Sequence, residues 1–166
     1  MKKTLMSWYL AIAGAVISLD MATKMLARHY WTQEVPITPF LSLVCIKNYG
    51  VSFSFLSTYN QLLYNILTVF IGCLIVGFTY YIYRRLMIGK GTLASVLIAV
   101  GGLSNLYDRI FFGYVTDFVR LHYGAWEFYI FNFADVAITC GSLLFLYQII
   151  RETYDDDQDL FPWWTW

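Results

Sequence analysis

Two aspartates, Asp117 and Asp135, stand at the ends of a short segment between two apolar stretches, which reads YVTDFVRLHYGAWEFYIFNFAD from Tyr114. Asp117 lies in a β-like run, and Asp135 lies where the next apolar stretch begins. A carboxylate at the edge of hydrocarbon is costly to keep charged, so two that meet there share a proton, bind a cation or perform chemistry. With one carboxyl protonated and the other anionic, the pair is an acid and a base able to activate water.

Other polar residues are expected at the same level as this pair. Asp20 and Asp108 also fall at predicted ends of apolar stretches, and three asparagines join them, which are Asn48, Asn105 and Asn132. Such groups are costly to bury without partners, so their common level predicts a polar pocket.

Several of these residues also have a purely structural interpretation. Asp20 and Lys24 are four residues apart, so on a helix they form an ion pair that neutralises the end of a span. Asp108 is followed by Arg109, and this favours a local ion pair with a supporting role. Gly101 and the glycine after it favour close helix packing.

Other kinds of site are poorly supported by the sequence. The three cysteines lack metal-like spacing, and only two histidines are present, so no metal site and no cofactor are expected. A Ser/Lys nucleophile is weakly indicated, because Lys24 already has Asp20 nearby. Acidic and basic residues number 11 each, and no basic patch or phosphate loop predicts binding to nucleic acid.

The composition predicts a membrane protein. The chain has 166 residues, of which 59% are hydrophobic and 20% aromatic, and its mean hydropathy is +0.56. A soluble domain of this length cannot bury that much apolar surface.

Four apolar stretches are each close to the length that crosses a bilayer as a helix. They are Leu5 to Leu26, Tyr59 to Tyr83, Thr92 to Phe111 and Phe131 to Ile150. Basic residues near their ends favour one side of the membrane, with Lys2, Lys3, Arg84, Arg85, Lys90 and Arg151 against Arg28, Lys47 and Arg120. Both termini are therefore predicted to be cytoplasmic.

The two outer segments, 27–58 and 112–130, carry strand signals. Residues 40–46 are apolar and partly β-branched, and residues 51–55 alternate apolar with serine. Residues 115–121 and 126–131 flank Gly124 as the strands of a hairpin would. The predicted fold is an all-α membrane bundle of four transmembrane helices with a small extracytoplasmic β-sheet or hairpin element.

Five short motifs in this order resemble the bacterial lipoprotein signal peptidases, the signal peptidase II family of membrane aspartic peptidases. The motifs are DMATK from Asp20, NYGVSF from Asn48, GGLSNLYDR from Gly101, VTDF from Val115 and FNFAD from Phe131. Each motif is weak alone, but the ordered set is specific and covers nearly the whole chain up to Arg151.

The resemblance implies an aspartic endopeptidase that cleaves diacylglyceryl-modified prolipoproteins on the amino-terminal side of the lipidated cysteine. It implies that Asp117 and Asp135 are catalytic and that other motif residues shape the site or hold substrate, namely Asp20, Asn48, Gly50, Asn105, Asp108, Arg109 and Asn132. Lys24, the expected partner of Asp20, is placed with these site-shaping residues. It also implies inhibition by globomycin. Ser52 and Ser104 depart from the family pattern, which usually has Ala and Gly there.

The expected organisation is a single membrane peptidase domain over residues 1–151, followed by an acidic, Trp-rich cytoplasmic tail over 152–166. A monomer in the bacterial inner membrane is expected, with membrane lipid around it and its site near the periplasmic face. Two alternatives remain open at this stage. One is a small carboxylate-dependent transporter or proton-conducting protein, and the other is an assembly factor whose polar cluster docks a membrane helix.

Overall fold

The computed structural model describes residues 2–50, 60–124 and 126–160. Within these ranges the chain forms four long helices and a four-stranded sheet. In chain order the elements are α1 (Lys2–Tyr30), β1 (Val35–Thr38), β2 (Leu41–Asn48), α2 (Gln61–Met87), α3 (Leu93–Phe112), β3 (Val115–Tyr123), β4 (Trp126–Phe131) and α4 (Phe133–Leu160). All four helices lie where the apolar stretches predict them.

Three of the four helices in the described part of the chain are long and apolar enough to cross a membrane, over Thr4–Tyr30, Gln61–Met87 and Phe133–Tyr154. Only 6% of the most apolar stretch of α2 is buried within the protein. Its exposed apolar surface therefore needs to be covered by lipid. The remaining helix, α3, carries Asn105, Asp108 and Arg109 near its end, and these polar residues reduce its hydropathy. The sequence therefore predicted the positions of all four helices, but three of them are long and apolar enough to cross a membrane.

Capping residues define where α2 begins and where α3 ends. The side chain of Asn60 caps α2 by accepting hydrogen bonds from the backbone N–H groups of Leu62 and Leu63. Helix α3 ends at Gly113, whose φ of 76° is the left-handed conformation that glycine adopts without strain, and whose N–H donates to the carbonyl of Arg109. This sharp stop directs the chain from α3 into β3.

Helix α3 is the centre of the bundle, because it packs against α1, α2 and α4. Two glycines let α3 and α4 approach closely. A Cβ added at Gly101 would lie 2.5 Å from the carbonyl oxygen of Ala134, and one added at Gly141 would lie 2.8 Å from that of Ala94. The close packing expected of Gly101 is therefore present, and it occurs at the first turn of α4.

The sheet lies at one end of the bundle and is antiparallel throughout, in the order β1-β2-β3-β4. Strands β3 and β4 form the predicted hairpin, and its turn contains Gly124 with a φ of 58°. Strand β2 matches the strand predicted over 40–46. Strand β1 was not predicted, and the strand predicted over 51–55 lies outside the described residues.

The interior near the sheet is polar. The fully buried side chains there include Asp20, Lys24, Thr116 and Asn132. The apolar cluster of Tyr9, Leu86 and Val96 lies at the opposite end of the bundle. Since buried polar groups need partners, the region beside the sheet is where chemistry is expected.

Candidate active site

Asp117 projects from β3 into the protein and is only 3% exposed. Its Oδ2 accepts a hydrogen bond from Nδ2 of Asn48 at 2.8 Å, and its Oδ1 accepts one from Nδ2 of Asn132 at 2.7 Å. Asn48 belongs to the neighbouring strand, β2, and its own Oδ1 accepts from the N–H of Gly50. Both carboxyl oxygens of Asp117 therefore face amide donors.

Asp135 lies in the first turn of α4 and is 7% exposed. Its N–H donates to Oδ1 of Asn132 at 2.9 Å, and its Oδ2 accepts from the N–H of Asn132 at 3.3 Å. This reciprocal pair is a capping box with Asp in the place usually held by Glu. Its other oxygen, Oδ1, accepts from Nδ2 of Asn105 at 2.9 Å. The position of this carboxyl is thus fixed by the start of the helix.

Asn132 connects the two carboxyls. Its side chain donates to Asp117, while its backbone N–H donates to Asp135. Burial, followed by the nearby charge of Asp135, raises the pKa of Asp117 from 3.8 to about 7, although its hydrogen bonds with the asparagines favour the anion. The two residues that the sequence singled out are electrostatically coupled, and Asp117 keeps a proton to near neutral pH.

The predicted pair of Asp20 and Lys24 is confirmed, with Lys24 Nζ at 2.7 Å from Asp20 Oδ2. Both side chains are fully buried. Asp20 Oδ1 also accepts from the N–H of Ala134, and its Oδ2 accepts from the hydroxyl of Ser104 at 2.7 Å. Lys24 Nζ donates to Oδ1 of Asn105 at 2.8 Å. The pair therefore reaches both the start of α4 and a direct partner of Asp135.

Asp108 does not form the local pair with Arg109 that the sequence favoured. Among the described residues its ionic partners come from α1: Arg28 at 3.3 Å and Lys24 at 3.7 Å. Its Oδ2 also accepts from the N–H of Thr116 at 2.9 Å. Adjacent residues of a helix point about 100° apart, so Asp108 and Arg109 face different neighbours. Asp108 has the supporting position expected of it, but through other contacts.

Arg109 faces the carboxyl pair from α3, where it is 5% exposed. Its Nη2 donates to the carbonyl of Gly50, and its guanidinium lies over the ring of Tyr64 at 5.6 Å. Its positive charge interacts electrostatically with Asp117 and Asp135. Among the described residues, its buried Nε and Nη1 have no hydrogen-bond partner. Unsatisfied donors of a buried guanidinium are costly, so this residue is well placed to hold an acceptor group of a substrate.

The ten residues named from the sequence are thus linked into one network across α1, α3, β2, β3 and α4. Arg28 was not predicted as a member from the sequence, although its Nη1 donates hydrogen bonds to both Asp108 and the hydroxyl of Thr116. A signal was present, because Asp20, Lys24 and Arg28 recur every fourth residue and share one face of α1. Among the described residues, no cluster of three or more His, Cys, Asp or Glu side chains is arranged to hold a metal.

Known proteins resemble this chain along most of its length. Residues 12–151 match the family described as signal peptidase (SPase) II. A lipoprotein signal peptidase of Aquifex aeolicus is 40% identical over 143 residues, which are 83% of each chain. The enzyme of the same name from Francisella tularensis subsp. novicida is 34% identical, over 83% of this chain and 88% of the relative.

The fold is also similar to solved structures. A bacterial membrane enzyme determined by the in meso method at 2.3 Å resolution has a TM-score of 0.72 and 22% identity, covering 90% of this chain and 91% of its own. A second, determined at 1.9 Å, has a TM-score of 0.66 and 23% identity, with coverages of 86% and 92%. At these identities the structures establish the fold alone. The match to the family over 12–151, together with the identity to curated relatives, shows that the chain belongs to the signal peptidase II family.

Proposed function

We propose that this protein removes the signal peptide from diacylglyceryl-modified prolipoproteins by cleaving on the amino-terminal side of the lipidated cysteine. Asp117 and Asp135 are the catalytic residues. The observation that carries this proposal is their arrangement: two nearly buried carboxyls share Asn132 as a hydrogen-bond donor, and Asp117 has a pKa of about 7. The charge of Asp135 makes ionisation of the buried Asp117 costly, so one carboxyl is acid and the other base.

The reaction requires water and these two groups. The anionic carboxyl takes a proton from water as the water oxygen bonds to the scissile carbonyl carbon, and the protonated carboxyl gives its proton to the carbonyl oxygen. The first carboxyl then protonates the amine nitrogen as the C–N bond breaks. One hydroxyl of the intermediate returns its proton to the second carboxyl. Both aspartates regain their starting states, and no covalent intermediate forms.

The remaining residues of the network position this pair. Asn48, Asn105 and Asn132 orient the carboxyls, and Asp20, Lys24 and Asp108 join α1 and α3 to the start of α4. Arg109 has two donor nitrogens without a partner in the part of the chain that the structure describes, and these hold a carbonyl of the substrate, while Gly50 accepts from its third nitrogen.

The membrane setting follows from the same reasoning. All four helices cross the bacterial inner membrane, with α3 packed against its three neighbours, and both termini are cytoplasmic. The sheet then lies at the periplasmic face, because open sheet edges cannot face lipid. Residues 1–151 form one domain that acts as a monomer, and 152–166 form its tail. The apolar signal segment and the acyl chains of the substrate enter laterally from lipid, and globomycin competes with them.

The test is cleavage of a purified diacylated prolipoprotein in detergent or liposomes, compared with its unlipidated form. Asp117→Asn and Asp135→Asn should each lose turnover by at least about 1,000-fold. Glu127→Gln, which alters a carboxyl on β4 paired with Arg120, should retain it and serves as the control. Near-normal turnover by either aspartate variant at equal protein amounts removes that residue from catalysis.

The same preparation also separates the alternatives. A carboxylate-dependent transporter would move protons or solute across liposomes without producing peptide fragments, and an assembly factor would form a stable complex without cleavage. Cleavage of only the lipidated precursor, blocked by globomycin, excludes both.

A further inference from the structure

We propose that Lys24 is a positioning residue for the reaction, which acts through Asn105 to keep Asp135 as the anionic member of the pair, so that Asp135 is the base and Asp117 the acid. This assignment rests on the proposed function and deepens it, because it divides the two roles between the carboxyls.

The first step is the orientation of Asn105. An ammonium group has three donors and no acceptor, so Lys24 Nζ, 2.8 Å from the Asn105 side chain, must face its carbonyl oxygen. The amide NH₂ then points the opposite way, toward Asp135 Oδ1 at 2.9 Å. The lysine thereby removes the ambiguity of the amide and fixes a donor on Asp135. Turning the amide over would place its NH₂ against the ammonium and its oxygen against the carboxylate.

The amides that donate to the two carboxyls differ in the group that donates to their own oxygen. The amides that donate to Asp117 belong to Asn48 and Asn132, and their oxygens accept from the backbone N–H groups of Gly50 and Asp135. The amide that donates to Asp135 instead has a cation on its oxygen. A hydrogen bond whose donor is polarised by a cation is stronger, and chains of such bonds reinforce each other where the dielectric constant is low.

The third step is the position of Asp135 on its helix. The Asp135 carboxyl accepts from the N–H of Asn132 at the beginning of α4, where the unsatisfied N–H groups and the helix dipole favour a negative charge. Asp117 lies on a strand, and strands contribute little net dipole. Helix and lysine therefore act in the same direction, since each favours the anionic form of Asp135.

Other charges near the pair do not remove this asymmetry. The charged groups that face it are Asp20 and Lys24 from α1 and Arg109 from α3, and the charges of Arg109 and Lys24 each act on both carboxyls, so charge alone does not separate them. Asp20 and Asp108 balance Lys24 and Arg28, so the cluster is neutral as a whole. Within it, the ammonium group is the member that contacts Asn105. The effect on Asp135 arises from this orientation and not from net charge.

The test begins with Lys24→Met, assayed for kcat, KM and their pH dependence on a lipidated precursor. Loss of the cation makes the anionic base less stable, so we expect kcat to fall about tenfold, KM to change less than about twofold, and the acid limb of kcat/KM to move up by about one pH unit. A purely structural role would lower the amount of folded enzyme without moving the acid limb.

If Lys24→Met does not fold, the pair replacement Asp20→Asn/Lys24→Met takes its place in the test. Removing one partner of a buried ion pair is strongly destabilising, whereas replacing both is often tolerated. Asn105→Ala provides a third variant, because it breaks the link and leaves the ion pair intact. Either should show the same shift of the acid limb, and adding Lys24→Met to Asn105→Ala should cause little further loss in kcat, since both act on one path.

The outcomes are separable from those of the proposed function. If Asp117→Asn or Asp135→Asn retains turnover, the proposed function fails. If both are inactive while the acid limb stays in place in Asn105→Ala and the pair replacement, the proposal for Lys24 is overturned. Fully additive losses of kcat in the double variant would also overturn it, because they would mean that Lys24 does not act through Asn105.

Discussion

The N–H of Asp135 donates to the side chain of Asn132 at 2.9 Å, and the carboxylate of Asp135 accepts from the N–H of Asn132 at 3.3 Å. One carboxyl of the pair is therefore also part of a helix cap. Functional groups on rigid elements are held more accurately than those on loops, and here the capping box supplies the rigidity.

Asn132→Ala should reduce both stability and activity, because it removes a cap and one of the two amide donors to Asp117. The cap is worth about 1 kcal/mol, and the lost bond to a charged or coupled carboxyl corresponds to a fall in kcat of about tenfold or more. Asn60→Ala is the matched control, since Asn60 caps α2 in the same way. It should lower the unfolding temperature by a similar amount but leave kcat per folded enzyme unchanged. Equal kcat in the two variants would contradict this expectation.

The pH profile should show a loss of activity on the alkaline side. The pKa of Asp117 is raised to about 7 by burial and by Asp135, and the proposed reaction uses its protonated form. We therefore expect kcat/KM to decline above about pH 7, approaching tenfold per pH unit. The apparent pKa values will belong to the coupled pair. Initial rates from pH 5 to 9 on one lipidated precursor measure this, and a rate that is flat to pH 9 would exclude Asp117 as the acid.

Gly101→Ala should reduce activity sharply. The added Cβ would lie 2.5 Å from the carbonyl oxygen of Ala134, so α4 must shift by about 1 Å to reach van der Waals distance. That shift moves the residue next to Ala134, which is Asp135, and a misplacement of about 1 Å can cost about 100-fold in rate. At Gly77 on α2 an added Cβ would meet no described residue outside its own helix within 4 Å, so Gly77→Ala should behave as wild type. The measurement is kcat of Gly101→Ala and Gly77→Ala at equal amounts of folded enzyme, and equal values for the two would contradict the prediction.

Ser104→Ala should lower stability more than activity. It removes the 2.7 Å hydrogen bond to the buried carboxylate of Asp20, and such bonds to charged groups are worth about 1.5–3 kcal/mol. Thr79→Ala is the control, because within the described residues that hydroxyl donates to a carbonyl of its own helix, at Ile75, and its loss should change stability little. Unfolding of both variants in mixed detergent gives the comparison. A smaller effect for Ser104→Ala than for Thr79→Ala would contradict the prediction.

Much of the fold could be predicted from local pattern. Length and hydropathy located the four helices, and the glycine at 124 located the hairpin between β3 and β4. Strand β1 escaped prediction because its four residues include Pro36 and lie entirely exposed, so no alternation marks them. Helix α4 continues to Leu160, ten residues beyond the predicted end at Ile150, because charged helix-forming residues extend a helix without any hydropathy signal.

The predicted tail begins with a residue that has a structural partner. Glu152 forms two hydrogen bonds with Arg85 of α2, at 2.8 and 2.6 Å. The composition of residues 152–166 gave no indication of this contact, since the partners are 67 positions apart.

The membership of the site was largely accessible to sequence reasoning, but its contacts were not. The family resemblance and the spacing of Lys24 from Asp20 together named ten residues, and all ten are linked in the structure. The pairing of Asp108 with Arg28 joins residues 80 positions apart, so only helix packing reveals it. The arrangement of Lys24, Asn105 and Asp135 likewise depends on the crossing of α1, α3 and α4.

The bond from the N–H of Ala134 to Asp20 joins groups 114 positions apart, one in the first helix and one in the last. During synthesis the amino-terminal half of the network enters the bilayer long before its counterpart leaves the ribosome. A nascent chain that has not yet reached α4 therefore lacks both Asp135 and this bond, and the proposed catalytic pair is assembled only after α4 has been translated.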